Sequence, residues 1–288
     1  MSTMRRFASV RGRASLVLST NAAGGVAADL ERASKGRFSA DPMLAYGRWR
    51  DIRDFAASDL GSFGEPFTNN QLFAPSPRPA QIFGIGLNYR EHANETGAPI
   101  PDTPLTFTKF ASSVNTPNGD VAITVPTADW EVELVAVIGR GGRDIAEADG
   151  WDAVAGLCVG QDISDRLLQR ATQPPQFSLG KSRRGYSPFG PWLTDASGVA
   201  YRDALTMHCQ RNGVEVQRTS TDDMIFSVPQ LVSYLSGIVE LLPGDVIYTG
   251  TPSGVGGARK PPQFLAPGDV LVSTIDGLGS ITNRCTSN

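Results

Sequence analysis

Two glutamates, Glu131 and Glu133, stand two residues apart in the run Asp129-Trp130-Glu131-Val132-Glu133-Leu134-Val135-Ala136-Val137-Ile138-Gly139. A β-branched, apolar run of this kind predicts a strand, whose side chains alternate between faces. Both carboxylates then share one face, with Val132 and Leu134 on the other. Like charges on one face repel each other, and a divalent cation removes that repulsion. Asp162 follows a second apolar segment, Val154 to Val159, and can supply a third carboxylate. Three oxygen donors suit a hard cation such as Mg²⁺, which keeps positions open for water or substrate. The same spacing also fits a solvated strand edge with paired glutamates, so the acids alone leave both readings open.

A second group can move protons. Gln81-Ile82-Phe83-Gly84-Ile85-Gly86 predicts a short buried strand running into a helix over Leu87 to Thr96, with Asn88 as N-cap and Gly97 as its stop. His92 and Glu95 then stand at i and i+3 and can touch. Glu95 would orient the imidazole and raise its basicity, as a general base working on water requires. An ordinary exposed helix with a simple His–Glu pair has the same spacing. Gly84-Ile85-Gly86 is not a dinucleotide fingerprint, because the third glycine is missing. Lys109, on the strand expected over Leu105 to Phe110, can meet an anionic ligand or merely be solvated. Lys181, Arg183 and Arg184 lie in a Gly/Pro-rich stretch, Phe177 to Trp192, where an anionic substrate can dock. The loop Thr249 to Gly257 offers hydroxyls and backbone N–H groups to an anion or carboxylate. His208, between Met207 and Cys209, reads as a packed strand residue.

The elements that must position these groups span 288 residues, enough for one or two domains. Twenty-six basic against 29 acidic side chains give a net charge of −3, which argues against nucleic-acid or membrane-surface binding. Three scattered cysteines form no CxxC pair and fit a reducing, cytoplasmic setting. No apolar run reaches the ~18 residues of a membrane span. Met1 to Asn21 is arginine- and serine-rich without an acid, like a transit peptide. The strand–Arg11-Gly12-Arg13–strand pattern favours a hairpin there. Asp41 to Leu60 carries apolar residues at helical spacing, and Asp144 to Ala155 also predicts a helix. Proline-rich Phe73 to Pro79 marks a boundary between a small α+β segment, residues 1–75, and a larger domain, 76–288. Asn212-Gly213 predicts a hairpin turn, and Met224 to Leu242 a further helix.

Read in order, Gly86-Leu87-Asn88-Tyr89-x-x-His92-x-x-Glu95, Asp129-Trp130-Glu131-Val132-Glu133, Asp162-x-Ser164, Gly180-Lys181-Ser182, Gly190-Pro191-Trp192 and Thr249-Gly250-Thr251-Pro252 resemble the fumarylacetoacetate hydrolase family over about residues 75 to 285. The resemblance implies an α+β chain with a mixed β-roll catalytic domain, usually a homodimer, binding Mg²⁺ or Mn²⁺. It implies Glu131, Glu133 and Asp162 as metal ligands and His92 with Glu95 as the water-activating pair on a lid helix. Lys181 is implied beside the reacting enolate. Gln169 and Thr251 match substrate or oxyanion contacts, and Tyr89, Arg166 and Lys109 complete the expected substrate-binding set. Gln161, Asp165, Arg183 and Arg184 depart from the family pattern and bear on substrate identity. The expected reaction is hydrolysis of a C–C bond in a small anionic 2,4-diketo acid of the acylpyruvate or fumarylpyruvate type. Alternatives are decarboxylation of oxaloacetate, isomerisation of a 2-hydroxydienoic diacid, or a relative that binds diacids without turnover.

Overall fold

A computed structural model of the chain describes residues 6–287. The centre is the antiparallel pair Val132–Ile138 and Val154–Gln161, every residue of which is buried. Both faces of this pair are covered, so its sequence reads as continuous apolar runs. The pair belongs to a twelve-stranded mixed sheet whose main path runs Gly64–Thr68, Gly24–Asp29, Arg13–Asn21, Arg6–Val10, Ser187–Asp195, Val154–Gln161, Val132–Ile138, Val246–Tyr248, Ile82–Gly86, Leu105–Thr108. Val246–Tyr248 and Ile82–Gly86 are parallel, while the neighbours on either side are antiparallel. A five-stranded sheet, Val214–Ser220, Thr206–Arg211, Val270–Ile275, Gly279–Thr286 and Val121–Ala122, packs against it. Val132, Leu134 and Ala136 meet Met207, Leu271 and Ile281 in the apolar layer between the sheets. The fold is α+β with mixed sheets, as expected.

The alternation of the central strand has a consequence for the acids. Val135 and Val137 share the face of Glu133 and pack in a second apolar layer with Phe7, Leu16 and Tyr46. Of the segment expected to stand apart as residues 1–75, the described part, 6–75, shares one sheet and one core with the strands that follow it. Arg6 and Phe7 pair with Thr194 and Leu193. A short hairpin buries too little apolar surface to hold by itself, and joining an existing sheet supplies the rest.

The N-terminal hairpin forms over Arg6–Val10 and Arg13–Asn21; Met1 to Arg5, part of the transit-like composition, lie outside the described residues. Asn212 and Gly213 both adopt positive φ, 54° and 79°, as a hairpin turn of this type requires. Three helix expectations need correction. Asp41 to Leu60 is two helices, Pro42–Tyr46 and Trp49–Phe55, because the first ends at Gly47. Asp144 to Ala155 yields a 3-10 turn, Glu147–Asp149, and one α-helical turn, Gly150–Ala153, before the β-branched run from Val154 enters the sheet. Met224 to Leu242 shortens to Val228–Ser236, started by a capping box of Ser227 and Gln230. Among the described residues, no helix is long and apolar enough to cross a membrane.

Candidate active site

Glu131, Glu133 and Asp162 converge at one end of the central pair. Val132 is in register with Gln161, so the residue preceding one and the residue following the other become neighbours. One oxygen from each carboxylate lies within 4.8 Å of the others, and all three residues are buried. Lys181 Nζ donates to Glu131 Oε2 at 2.5 Å and to Asp162 Oδ2 at 2.7 Å. Arg166 Nη1 is 2.6 Å from Glu131 Oε1. Burial works against the Glu131 charge, but Lys181 and Arg166 outweigh it and bring the carboxyl down to about 2. Glu133 is different. Its Oε2 accepts from Gly250 N at 2.8 Å, and it has no ion pair among the described residues. Burial and the neighbouring Asp162 and Glu131 push its carboxyl well above the ordinary range. A hard, oxygen-only donor set in which one member lacks a cation fits Mg²⁺ or Mn²⁺.

A cation held by these three carboxylates would bind with proton coupling. Glu133 in the metal-free protein keeps a proton at pH values where a free carboxylate has lost it, and a cation must displace that proton. Affinity therefore falls as pH falls through the raised Glu133 value. The expected result is proton release on Mn²⁺ binding, read by calorimetry as a heat that varies with the ionisation enthalpy of the buffer.

His92 and Glu95 sit on the helix Arg90–Thr96. His92 Nδ1 is 3.1 Å from Glu95 Oε2, and Gly254 N donates to Glu95 Oε1 at 2.9 Å. Burial acts to raise the Glu95 carboxyl, but these two bonds outweigh it and hold the group below its usual value. Glu95 is thus an ionised, fixed orienter for the imidazole. Gly97 ends the helix in the left-handed region at φ 68°, as expected. Asn88 is not the N-cap; Tyr89 takes that position without a side-chain bond. The Asn88 amide instead donates to Thr249 O at 2.7 Å and Phe226 O at 3.0 Å and accepts from Phe226 N at 2.8 Å. It ties the start of the helix to the Thr249 loop.

A cavity of about 400 Å³ opens between the helix and Glu131, the one acid of the three on its wall. His92, Glu95, Glu131, Arg166, Gln169, Lys181 and Thr251 reach its wall, and Leu87, Phe107, Phe177 and Val255 form an apolar side. Of the expected substrate contacts, Tyr89 and Lys109 lie off this wall and Thr251 lies on it. Tyr89 is fully buried outside this wall. Lys109 is also buried, with Nζ on Asp162 Oδ1 and 2.5 Å from Lys181 O. It neutralises the acid cluster from behind, because the strand Leu105–Thr108 ends just before it. The Thr251 hydroxyl donates to Val132 O at 2.9 Å, so it fixes the loop and is not free for an oxyanion. Arg166 Nη1 also donates to Gln169 Oε1 at 3.1 Å, so the carbonyl end of this wall residue is engaged by the guanidinium. Arg183 pairs with Asp165 at 2.8 Å and does not reach the cavity wall.

Three positioning side chains escape sequence reasoning. Asp129 accepts from Gly256 N at 2.7 Å, Gly257 N at 2.8 Å and Arg166 Nε at 2.8 Å. Its place in the Asp-Trp-Glu-Val-Glu motif was the available signal. Gln161, noticed as a departure from pattern, accepts from Glu131 N at 2.9 Å and donates to Ser273 Oγ at 2.8 Å. Gln217, from the other sheet, accepts from Val132 N at 3.0 Å and donates to Thr251 Oγ1 at 2.9 Å and Pro252 O at 3.0 Å. Nothing in the sequence marks it. Gln217→Leu orphans the buried Val132 N–H and is expected to lower stability by about 1–3 kcal/mol, measured by urea denaturation.

Residues 81–286 match the fumarylacetoacetate (FAA) hydrolase C-terminal family. The chain is 41% identical over 254 residues to "Oxaloacetate tautomerase fahd2, mitochondrial" of Xenopus laevis, covering 84% of this chain and 79% of the relative. It is 42% identical over 203 residues to the 2,4-didehydro-3-deoxy-L-rhamnonate hydrolase of Sphingomonas sp. (strain SKA58), covering 69% and 71%. A crystal structure of an HpcE candidate from Mycobacterium smegmatis superposes with a TM-score of 0.89 at 44% identity, covering 98% of this chain and 99% of that one.

Proposed function

Because the chain belongs to the fumarylacetoacetate hydrolase family, we propose that it hydrolyses the C3–C4 bond of a 2,4-diketo acid of the acylpyruvate type, giving pyruvate and a carboxylic acid. The observation that carries this reading is the His92–Glu95 pair, 3.1 Å apart, on the wall of the same cavity that Glu131 and Lys181 reach. A divalent cation, Mg²⁺ or Mn²⁺, held by Glu131, Glu133 and Asp162 supplies Lewis-acid chemistry toward a 2-oxo carboxylate when bound. His92 takes a proton from water through Nε2, since Nδ1 faces Glu95, and Glu95 stabilises the imidazolium that forms. The hydroxide adds to C4. The Gln169 N–H₂ donates to the oxygen that becomes negative there. The C3–C4 bond then breaks with its electron pair left on the pyruvate fragment as an enolate. Lys181, on the cavity wall, stabilises that negative charge, and a proton delivered to C3 completes pyruvate.

The second reading is tautomerisation or decarboxylation of oxaloacetate, supported by the name of the Xenopus relative. The same His92 can remove a C3 proton. The apolar side of Leu87, Phe107, Phe177 and Val255 favours a substrate with an acyl chain over a four-carbon diacid. With Mn²⁺ present, acylpyruvates and oxaloacetate are offered in parallel. Pyruvate formation from an acylpyruvate is the expected result; enol–keto exchange or CO₂ release from oxaloacetate alone decides for the second reading, and no turnover of either marks a binding relative. The proposal includes a homodimer, tested by light scattering. It also places the protein in the cytoplasm, where the buried, unpaired Cys158, Cys209 and Cys285 stay reduced; cell fractionation tests this against the mitochondrial location in the Xenopus relative's name.

A further inference from the structure

A second cleft is larger than the active-site cavity. A depression of about 840 Å³, sharing no wall residue with that cavity, lies between the helix Trp49–Phe55, the turn Gly139 to Gly141, Trp151 and the loop that carries Arg202. Five arginines reach its wall from three separate parts of the chain: Arg48, Arg50, Arg53, Arg140 and Arg202. A chain with a net charge of −3 does not converge cations there through composition. Arg48 is held by Asp51 at 2.7 Å. Arg202 lies over the Trp151 ring at 4.2 Å from its centroid and donates to Ala196 O. Arg50, Arg53, Arg140 and Arg202 have no ion pair among the described residues. The wall also holds three acids, Asp51, Asp152 and Asp195; Asp51 is the partner of Arg48, and Asp195 Oδ1 accepts from Ser197 N and Oγ. Asp152 and Asp195 have no ion pair among the described residues, so two carboxylates face four guanidiniums without ionic partners.

Like charges converging in a concave wall repel one another, and an anion that bridges them removes that repulsion while accepting charge-assisted bonds from each fork. We propose that this cleft is a binding site for a small, multiply charged oxyanion, of the oligophosphate or tricarboxylate class, bridged by Arg50, Arg53 and Arg140. A monoanion cannot satisfy guanidiniums from separate segments at once, so multiplicity of charge is the recognised feature. Trp49 and Trp151 on the wall give an intrinsic reporter.

The test titrates the full chain with tripolyphosphate, citrate and acetate at constant ionic strength, following tryptophan fluorescence and calorimetric heat. Saturable binding of one or both polyanions, at least about tenfold tighter than acetate, is expected. The Arg50→Gln/Arg53→Gln/Arg140→Gln variant is expected to lose at least about tenfold in that affinity while keeping wild-type circular dichroism and turnover. Preference for tripolyphosphate assigns the phosphate class and preference for citrate the carboxylate class; either supports the site. No saturable signal at millimolar polyanion, or equal binding by the triple variant, overturns it.

Discussion

Glu133→Gln is expected to abolish metal-dependent turnover without unfolding the protein. Glutamine has the shape of a protonated glutamic acid, and burial beside Asp162 and Glu131 already favours that form of Glu133 when no cation is bound. Its side-chain carbonyl can still accept from Gly250 N, as Glu133 Oε2 does at 2.8 Å. The metal-free variant should therefore melt close to the metal-free wild type. The difference emerges on adding Mn²⁺, because binding to the folded state alone raises stability by RT ln(1 + [L]/Kd). Wild type should gain in Tm with rising Mn²⁺, and the variant should not. Loss of an outer-shell partner typically weakens a metal site by ~10–100-fold. Loss of a direct ligand is expected to exceed about 100-fold, with turnover falling to background. A variant that keeps both its Mn²⁺-dependent Tm and its activity removes Glu133 from the site.

The second large effect separates proton transfer from metal binding. His92→Ala should lower kcat by about 10²–10⁴-fold, the usual worth of a positioned general base. Substrate affinity and the Mn²⁺-dependent Tm should stay near wild type. Glu95 retains its bond from Gly254 N, so the helix Arg90–Thr96 keeps that tie to the loop. Glu95→Gln should give a smaller loss, because it weakens the orientation and charge stabilisation of the imidazole without removing the base. Loss of Mn²⁺ binding in His92→Ala, or an unchanged kcat, contradicts the assignment.

What could be read from the sequence was local. Glu131 and Glu133 share a face because a strand repeats every two residues. Asp162 joins them because the next strand pairs in antiparallel register, Val132 opposite Gln161. His92 and Glu95 meet because a helix brings i and i+3 together. What escaped was non-local. Gln217 belongs to the second sheet, and only the packing of the two sheets brings its amide to Val132 and Thr251. Lys109 on a short strand reads either as a ligand contact or as a solvated lysine; here the fold closes over it and its ammonium pairs with Asp162. Residues 1–75 looked separable because the proline-rich Phe73 to Pro79 punctuates the chain. Strand pairing of Phe7 with Leu193 is invisible to any local pattern. The break at Gly47 is local but hidden, since the apolar spacing continues across it.

The most direct measurement of the central claim is Mn²⁺ stoichiometry by equilibrium dialysis, with the free ion read by electron paramagnetic resonance. One Mn²⁺ per chain, displaced by excess Mg²⁺ and lost in Asp162→Asn, is the predicted result. Wild-type protein that retains no ion at concentrations supporting turnover, or an Asp162→Asn variant that binds as tightly as wild type, would contradict it.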